Sequence, residues 1–114
     1  MTVRPITPHI ATDPATPLVC GEFHQGLSYA NWRPRGSGDW LLIYTVAGAG
    51  RIVTEGRELK LGEKQAVLFR PDAPQDYATE PAADQWLLRW VHFTPKPHWE
   101  PWLLWPEIGR GVGC

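Results

Sequence analysis

The stretch "RIVTEGRELKLGEKQAVLFRPDAPQDYAT", Arg51 to Thr79, consists of short apolar or alternating runs separated by Gly, Pro and acidic residues. Runs of this length, interrupted at regular intervals by turn residues, are typical of β-strands. Glu55-Gly56 and Gly62-Glu63 supply residues that tolerate positive φ, which tight hairpin connections require. The stretch therefore predicts consecutive strands joined by short turns.

The same pattern continues on both sides of this stretch, from Leu18 to Phe93. The flanking runs are "LVCGEF", "GLSYANW", "WLLIYTV" and "QWLLRWVHF", and a Gly-rich turn stands at Gly48 to Gly50. Many short strands with turn signals between them are typical of an all-β sandwich or barrel. We therefore expect a closed or nearly closed antiparallel barrel over residues 18–93, without a long helix in residues 41–69.

The run "QWLLRWVHF" is apolar on both faces of the strand that it predicts. With a period of two, one face carries Trp86, Leu88, Trp90 and His92, while the intervening residues, most of them apolar, lie on the other. A strand of this kind is covered on both sides. The sequence therefore places it in the centre of the fold.

The two ends of the chain differ from this strand pattern. Residues 1–17 carry four prolines and no periodic apolar pattern, which predicts an extended arm. The spacing of Trp99, Trp102, Leu103 and Trp105 fits one side of a short helix that ends at Pro106. We expect these tryptophans to pack against an open end or side of the barrel. The domain organisation is then an arm over 1–17, the barrel with its short helix over 18–106, and a tail over 107–114.

Composition limits the class of protein. A chain of 114 residues that is 43% hydrophobic has the size and apolar content of one globular domain. Its formal net charge of -1 and its lack of a basic run argue against direct contact with nucleic acid. No apolar run approaches the roughly 20 residues that span a bilayer, so we expect a cytoplasmic protein without membrane contact. Cys20 and Cys114 lack zinc or redox spacing, and Cys20 is expected to be a small buried residue.

A family resemblance adds to this interpretation. The segment "GEKQAVLFRPDAPQDYAT" resembles the Pro-rich hairpin of the cupin superfamily. Together with "WLLRWVHFTPKPHWEPWLLWP" it closely resembles the arabinose-binding and dimerisation domain of AraC-type transcriptional regulators, over roughly residues 32–106. The resemblance implies a cupin-like jelly-roll β-barrel that binds a small effector, with an N-terminal arm that changes position on binding.

The same resemblance implies a longer parent protein. Members of the family carry a linker and a helix-turn-helix DNA-binding domain after this one, and the full-length parent is expected to be a homodimer. We expect this chain to be the sensor part of such a regulator, with its tail leading toward dimerisation helices.

The resemblance also implies a binding site. Trp90 matches the tryptophan that stacks on a sugar ring, Arg33 in "WRPRG" matches an arginine that donates to hydroxyls, and Tyr77 matches a pocket tyrosine. The resemblance does not align the arm residue by residue, and Pro8 is expected to contact the ligand as part of an arm that closes over the barrel. Leu88 shares a face with Trp90 and stands where the arabinose-responsive pattern has a histidine, which favours a less hydroxylated or differently substituted ligand. From the residues alone, an exposed Arg33 and a merely packed Trp90 remain an alternative.

Two other functions remain open. A metal-dependent cupin enzyme needs histidines that converge in the barrel, yet Gln75 stands where such a relative places one, and we expect no metal, no cofactor and no enzymatic activity. Glu22 and His24 could still share a strand face that His92 approaches. The histidines are scattered at His9, His24, His92 and His98. The third possibility is a protein-interaction module with a filled barrel, in which the tryptophans form a partner surface.

Overall fold

The computed structural model describes residues 4–8, 12 and 17–114, and His9 lies outside these ranges. Within them the chain forms strands and a single 3₁₀ helix, at Pro97–Leu103. The strands are β1 Leu18–Gln25, β2 Ala30–Arg33, β3 Trp40–Gly48, β4 Gly50–Thr54, β5 Arg57–Leu61, β6 Ala66–Phe69, β7 Gln75–Thr79, β8 Trp86–Phe93, β9 Glu107–Gly109 and β10 Val112–Gly113. No helix of the described residues is long and apolar enough to cross a membrane.

The strands form two antiparallel sheets. The larger has six strands in the order β1-β8-β3-β6-β10-β9, and the smaller has four in the order β2-β7-β4-β5. Apolar residues from both sheets make one core, which includes Leu41, Ile43, Ile52, Tyr77 and Trp86. The predicted all-β jelly-roll fold is confirmed, and β8 lies between β1 and β3, in the interior of its sheet as its apolar faces indicated.

Trp86 fills one end of the space between the sheets. Its side chain is fully buried, and its indole Nε1 donates to Thr45 Oγ1 at 2.9 Å. The ring lies directly against Gly50, where a side-chain carbon would collide with it. A large side chain on one strand is thus matched by a glycine on the opposite sheet, as close packing requires. This end of the barrel is therefore solid.

One of the three C-terminal tryptophans does not pack as expected. The segment Pro97–Leu103 is helical, but it is a 3₁₀ helix with Pro101 inside and no buried residue. Trp102 is 68% exposed, so the expectation that it packs against the barrel was wrong. The physical reason is position: the helix lies on the outer face of the larger sheet, where Trp99 contacts Phe93 with ring centroids 6.4 Å apart. A helix that rests on an outer face keeps one side in solvent.

Two further features differ from expectation. The segment 107–114 is not a detached tail, because β10 pairs with β6 and places Val112 fully in the core. Strands of two or three residues are too short to show an alternation in sequence. Cys20 is exposed rather than buried. Its neighbour Gly21 pairs with Trp90 on the inner face, and the period of two therefore turns Cys20 outward.

Candidate ligand-binding site

The two sheets enclose a cavity of about 70 Å³ above the solid end of the barrel. Its polar lining consists of Tyr29, Asn31, Arg33, Tyr77 and His92, which come from both sheets and the loop before β2. The apolar lining consists of Phe23, Leu41, Ile43, Leu88 and Trp90. Four of the five residues that the sequence indicated for ligand binding, Arg33, Tyr77, Leu88 and Trp90, therefore meet at one cavity.

Arg33 is the charged group of this cavity and is only 6% exposed. It ends β2 opposite Gln75, and its Nη1 donates to Gln75 Oε1 at 2.9 Å and to the Tyr77 hydroxyl oxygen at 3.0 Å. Its Nε and Nη2 donate to the backbone carbonyl of Pro8 at 3.1 and 2.9 Å. The following residue, Pro34, favours the extended backbone that directs Arg33 inward. The alternative of an exposed Arg33 is therefore excluded.

The two tyrosines of the cavity are neutral hydrogen-bonding groups. Burial raises the pKa of Tyr77 above its ordinary value, and the charge of Arg33 opposes this only in part. Burial, followed by the proximity of Tyr77, also raises the pKa of Tyr29. Both phenols keep their protons through the neutral pH range, so each can donate a hydrogen bond as well as accept one.

Trp90 and Leu88 form the apolar wall on β8. Leu88 is fully buried, while Trp90 is half-buried and contacts Phe23 with ring centroids 5.4 Å apart. The indole lies over Gly21, where a Cβ would come within 2.9 Å of the ring carbon Cε2. The buried Nε1 of Trp90 has no hydrogen-bond partner among the described residues. A buried donor without a partner costs about 1–3 kcal/mol, so a ligand acceptor that reached it would be favoured.

A buried polar chain runs from Arg33 to His92. Gln75 Nε2 donates to Ser37 Oγ at 2.9 Å, and Ser37 Oγ donates to Asp39 Oδ1 at 2.7 Å. The same carboxylate oxygen lies 2.8 Å from His92 Nδ1, and the side chains of this pair are each only 3% exposed. These hydrogen bonds connect Arg33, the one arginine or lysine in the described cavity lining, to the cavity residue His92. The connection runs through three buried polar side chains, those of Gln75, Ser37 and Asp39.

Sequence reasoning did not identify Ser37 or Asp39 as site residues. The available signal was "GSGD": Gly36 and Gly38 adopt φ of 74° and 81°, and this loop turns the two polar residues inward. His92 had been placed on the inner face of its strand, but without a partner. Its acceptor lies in a loop 53 positions away, and no local pattern indicates such a pair.

The suggested metal cluster is not present. Glu22 pairs with Arg89 at 2.7 Å on the outer face of the sheet, and His24 bonds Gln85 in an exposed position, whereas His92 faces inward. These residues therefore do not converge. In the part of the chain that the structure describes, no group of three or more His, Cys, Asp or Glu side chains is arranged to hold a metal ion.

The described part of the arm lies along the edge of the smaller sheet. The Thr7 amide donates to the Trp32 carbonyl at 2.8 Å, and the Trp32 amide donates to Thr7 Oγ1 at 3.0 Å, so the arm lies beside β2. Arg4 makes a bidentate ion pair with Asp76, with distances of 3.0 and 2.6 Å, and its guanidinium lies 4.9 Å from the centre of the Trp32 ring. The hydrogen bond that Arg4 donates to Asp76 raises the pKa of Arg4. These contacts fix the arm from outside the barrel.

Two other arm contacts reach the polar groups of the cavity. The carbonyl of Pro8 accepts two hydrogen bonds from Arg33, as described above. Thr12 Oγ1 donates to Asp39 Oδ2 at 3.0 Å. The fifth residue indicated by the sequence, Pro8, thus does not line the cavity itself but touches it through Arg33. The arm therefore contacts the cavity residue Arg33 directly and the cavity residue His92 through Asp39.

Solved structures with similar folds support the cupin architecture. A Cupin_2 domain of an XRE family transcriptional regulator from Enterobacter cloacae superposes with a TM-score of 0.59 at 15% identity, over 79% of this chain and 95% of that one. A Cupin 2 conserved barrel domain protein from Salinispora arenicola gives 0.57 at 13% identity, over 82% and 88%. At these identities the similarity is one of fold.

Sequence comparisons are more specific. The arabinose operon regulatory protein of Escherichia coli is 35% identical over 81 residues, which is 71% of this chain and 28% of that protein. The arabinose operon regulatory protein of Salmonella typhimurium is 34% identical, over 71% and 29%. The chain thus spans less than a third of these relatives. A family model described as the AraC-like ligand binding domain matches residues 20–112. On this evidence the chain belongs to the family of AraC-like ligand-binding domains.

Proposed function

We propose that this domain binds a small, sugar-like effector in the cavity between its sheets and that binding is coupled to the position of the N-terminal arm. The observation that carries the proposal is the meeting of Arg33, Tyr77, Leu88 and Trp90 at one buried cavity, with Pro8 held on Arg33. The effector would control transcription, a role that the relatives' name, arabinose operon regulatory protein, supports. In this proposal the DNA-binding domain lies elsewhere in a dimeric, cytoplasmic regulator. This role is that of a sensor and not of an enzyme.

The lining has the chemistry that a sugar requires. A sugar ring presents a flat face of C–H groups, for which an indole is a suitable platform, and a rim of hydroxyls that need fixed partners. Arg33 offers a planar set of N–H donors, and the protonated Tyr29 and Tyr77 can donate or accept. The apolar Leu88 beside Trp90 disfavours a hydroxyl at that point. We therefore expect a less hydroxylated or differently substituted relative of a pentose.

The size of the cavity supports coupling to the arm. A volume of about 70 Å³ is well below the roughly 300–1,000 Å³ of ordinary ligand sites, so binding requires a wall to move. A groove of about 550 Å³ runs along residues 6–8 and is lined by Arg33 from its other side. Movement of the arm away from Arg33 would join the two spaces. The described arm does not line the cavity itself, but it holds Arg33 and Asp39 by hydrogen bonds. Such polar contacts exchange readily with water.

Gln75 argues against the metal-enzyme alternative. Its amide is fully buried and is used on both sides, accepting from Arg33 and donating to Ser37. A residue committed to these two bonds serves to orient Arg33. We propose this role for Gln75 in place of the histidine that a metal-binding cupin would carry.

The proposal is tested by measuring the melting temperature and the binding heat of the domain with pentoses, hexoses and their deoxy derivatives. Binding that stabilises the folded state raises the melting temperature. Arg33→Ala should lose roughly tenfold or more in affinity, because ligand hydroxyls lose their donor. Arg110→Ala is the control, since Arg110 is exposed and lines neither the cavity nor the groove beside the arm.

Deletion of residues 1–14 tests the arm in the same assay. It should change the affinity while leaving the barrel folded. A ligand whose affinity is unaffected both by Arg33→Ala and by the deletion would show that neither the cavity nor the arm takes part.

A further inference from the structure

His92 is a buried polar residue of the cavity, on the same strand as Trp90. It is 2% exposed, lines the cavity, and its ring stands edge-on to Trp90 with centroids 5.7 Å apart. On β8 it lies two residues beyond Trp90, as Leu88 lies two residues before it, so His92 and Leu88 flank the indole on one face. Leu88 offers no polar group to a ligand on its side of the Trp90 ring, but the imidazole of His92 offers one on the other side.

Asp39 determines which nitrogen of His92 carries the proton. An ionised carboxylate only accepts hydrogen bonds, and Asp39 accepts from Ser37 at 2.7 Å and from Thr12 at 3.0 Å. The contact of 2.8 Å between Asp39 Oδ1 and His92 Nδ1 then places the proton of the neutral imidazole on Nδ1. Nε2 is left with a lone pair and is an acceptor.

An acceptor complements the other groups of the cavity. Arg33 can only donate, the indole Nε1 of Trp90 can only donate, and the phenols of Tyr29 and Tyr77 keep protons to donate. A hydroxyl ligand brings both lone pairs and protons. Its protons need acceptors, which the described lining otherwise supplies only through the Asn31 amide oxygen and the phenol oxygens.

We propose that His92 Nε2 accepts a hydrogen bond from a hydroxyl of the effector, and that Asp39 is the positioning residue that fixes the required tautomer. The inference rests on the proposed function and deepens it. The recognised ligand is a small polyol whose hydroxyl lies on the His92 side of the Trp90 ring, with an apolar edge toward Leu88. A methyl ether or a deoxy carbon at that hydroxyl is rejected, because it cannot donate to Nε2.

Asp39 also links this hydroxyl to the arm. Its Oδ1 holds His92 and Ser37, while its Oδ2 holds Thr12 of the arm. A ligand that bonds His92 therefore acts on a carboxylate that the arm also uses. This is a second connection between ligand and arm, at a different arm residue from the one between Arg33 and Pro8.

The first test needs no ligand. Nitrogen-15 NMR of the histidine side chains distinguishes the Nδ1–H tautomer, the Nε2–H tautomer and the imidazolium, and His92→Phe assigns the signal. At neutral pH we expect the Nδ1–H tautomer for His92. In Asp39→Asn we expect a shift toward the Nε2–H tautomer, because the amide of Asn can donate a hydrogen bond to Nδ1, which a carboxylate cannot do. The exposed His24 serves as internal control. An Nε2–H tautomer or an imidazolium in the wild-type protein overturns the inference.

The second test uses the tightest-binding sugar from a panel of L-arabinose, D-xylose, D-ribose and D-galactose, together with its monodeoxy derivatives. His92→Phe should weaken the parent sugar about tenfold, with the protein still folded. The deoxy derivative that lacks the hydroxyl bonded by His92 should bind the wild-type protein as weakly as the parent sugar binds His92→Phe. Its own affinity should not change in His92→Phe. His92→Gln, whose amide oxygen accepts, should restore part of the affinity, and His24→Phe should change nothing.

The outcomes separate the two proposals. If Arg33→Ala abolishes binding while His92→Phe leaves every sugar unaffected, the cavity function stands and the role of His92 is wrong. If wild type binds no member of the panel, sugar binding and the His92 assignment both fail.

Discussion

Removal of the Arg4 side chain should loosen the arm without unfolding the barrel. Arg4 makes a bidentate ion pair with Asp76 and lies over the Trp32 ring, but its side chain is 46% exposed and that of Asp76 is 24% exposed. An exposed ion pair contributes about 0.2–1 kcal/mol, and an exposed cation–π contact about 0.5–1 kcal/mol. We therefore expect Arg4→Ala to destabilise arm docking by about 1 kcal/mol, which is roughly a fivefold shift in the docking equilibrium.

Hydrogen exchange of the Thr7 amide measures this equilibrium. That amide is protected by its bond to the Trp32 carbonyl, which exists only when the arm is docked. In Arg4→Ala it should exchange about five times faster, because local opening controls its exchange. High salt should also accelerate exchange of the Thr7 amide in the wild-type protein, because it screens the ion pair between Arg4 and Asp76. It should have less effect in Arg4→Ala, which lacks that ion pair.

Arg89→Ala is the matched control for this measurement. Arg89 makes an ion pair of 2.7 Å with Glu22 on the outer face of the larger sheet, away from the arm. It should leave Thr7 exchange unchanged. An unchanged Thr7 rate in Arg4→Ala would refute the argument, and equal acceleration in both variants would assign the effect to global stability instead.

Three further outcomes are expected from the buried groups. Arg33→Ala should lower the melting temperature by roughly 8 °C, which corresponds to about 2 kcal/mol for the hydrogen-bond acceptors that it leaves unpaired. Arg35→Ala should shift the melting temperature little, and equal shifts in the two variants would contradict the hydrogen bonds of Arg33. Trp86→Ala should cost about 3–5 kcal/mol in chemical denaturation, and a loss below about 1 kcal/mol would mean that the site collapses without a cavity. Stability should fall as pH rises above 10.0, the ordinary pKa of tyrosine, because the unfolded chain releases the protons of Tyr29 and Tyr77 at a lower pH than the folded chain does. In alkaline denaturation, the stability of a variant with Phe at both positions should depend less on pH.

Local patterns in the sequence determined the strands and the inner face of β8. The alternation in "QWLLRWVHF" is a property of neighbouring residues, because a strand turns successive side chains to opposite faces, and it correctly grouped Trp86, Leu88 and His92. The turn at Glu55-Gly56 was equally local: the two residues adopt φ of 51° and 75°. In the predicted turn at Gly62-Glu63 the positive φ falls instead on Lys64, at 64°. Turn position is thus readable to within a residue or two.

The tertiary structure alone decided which distant residues share the cavity. Asp39 and His92 are 53 positions apart, and Arg33 and Tyr77 are 44 apart, so their contacts arise from strand order and leave no periodic signal in the chain. The family resemblance indicated Arg33 and Tyr77, but it assigned no role to Ser37 or Asp39. The position of the 3₁₀ helix had the same cause. Its tryptophan spacing gave the helix a face, but the outer surface on which that face rests is assembled from β3, β6 and β8 only when the larger sheet forms.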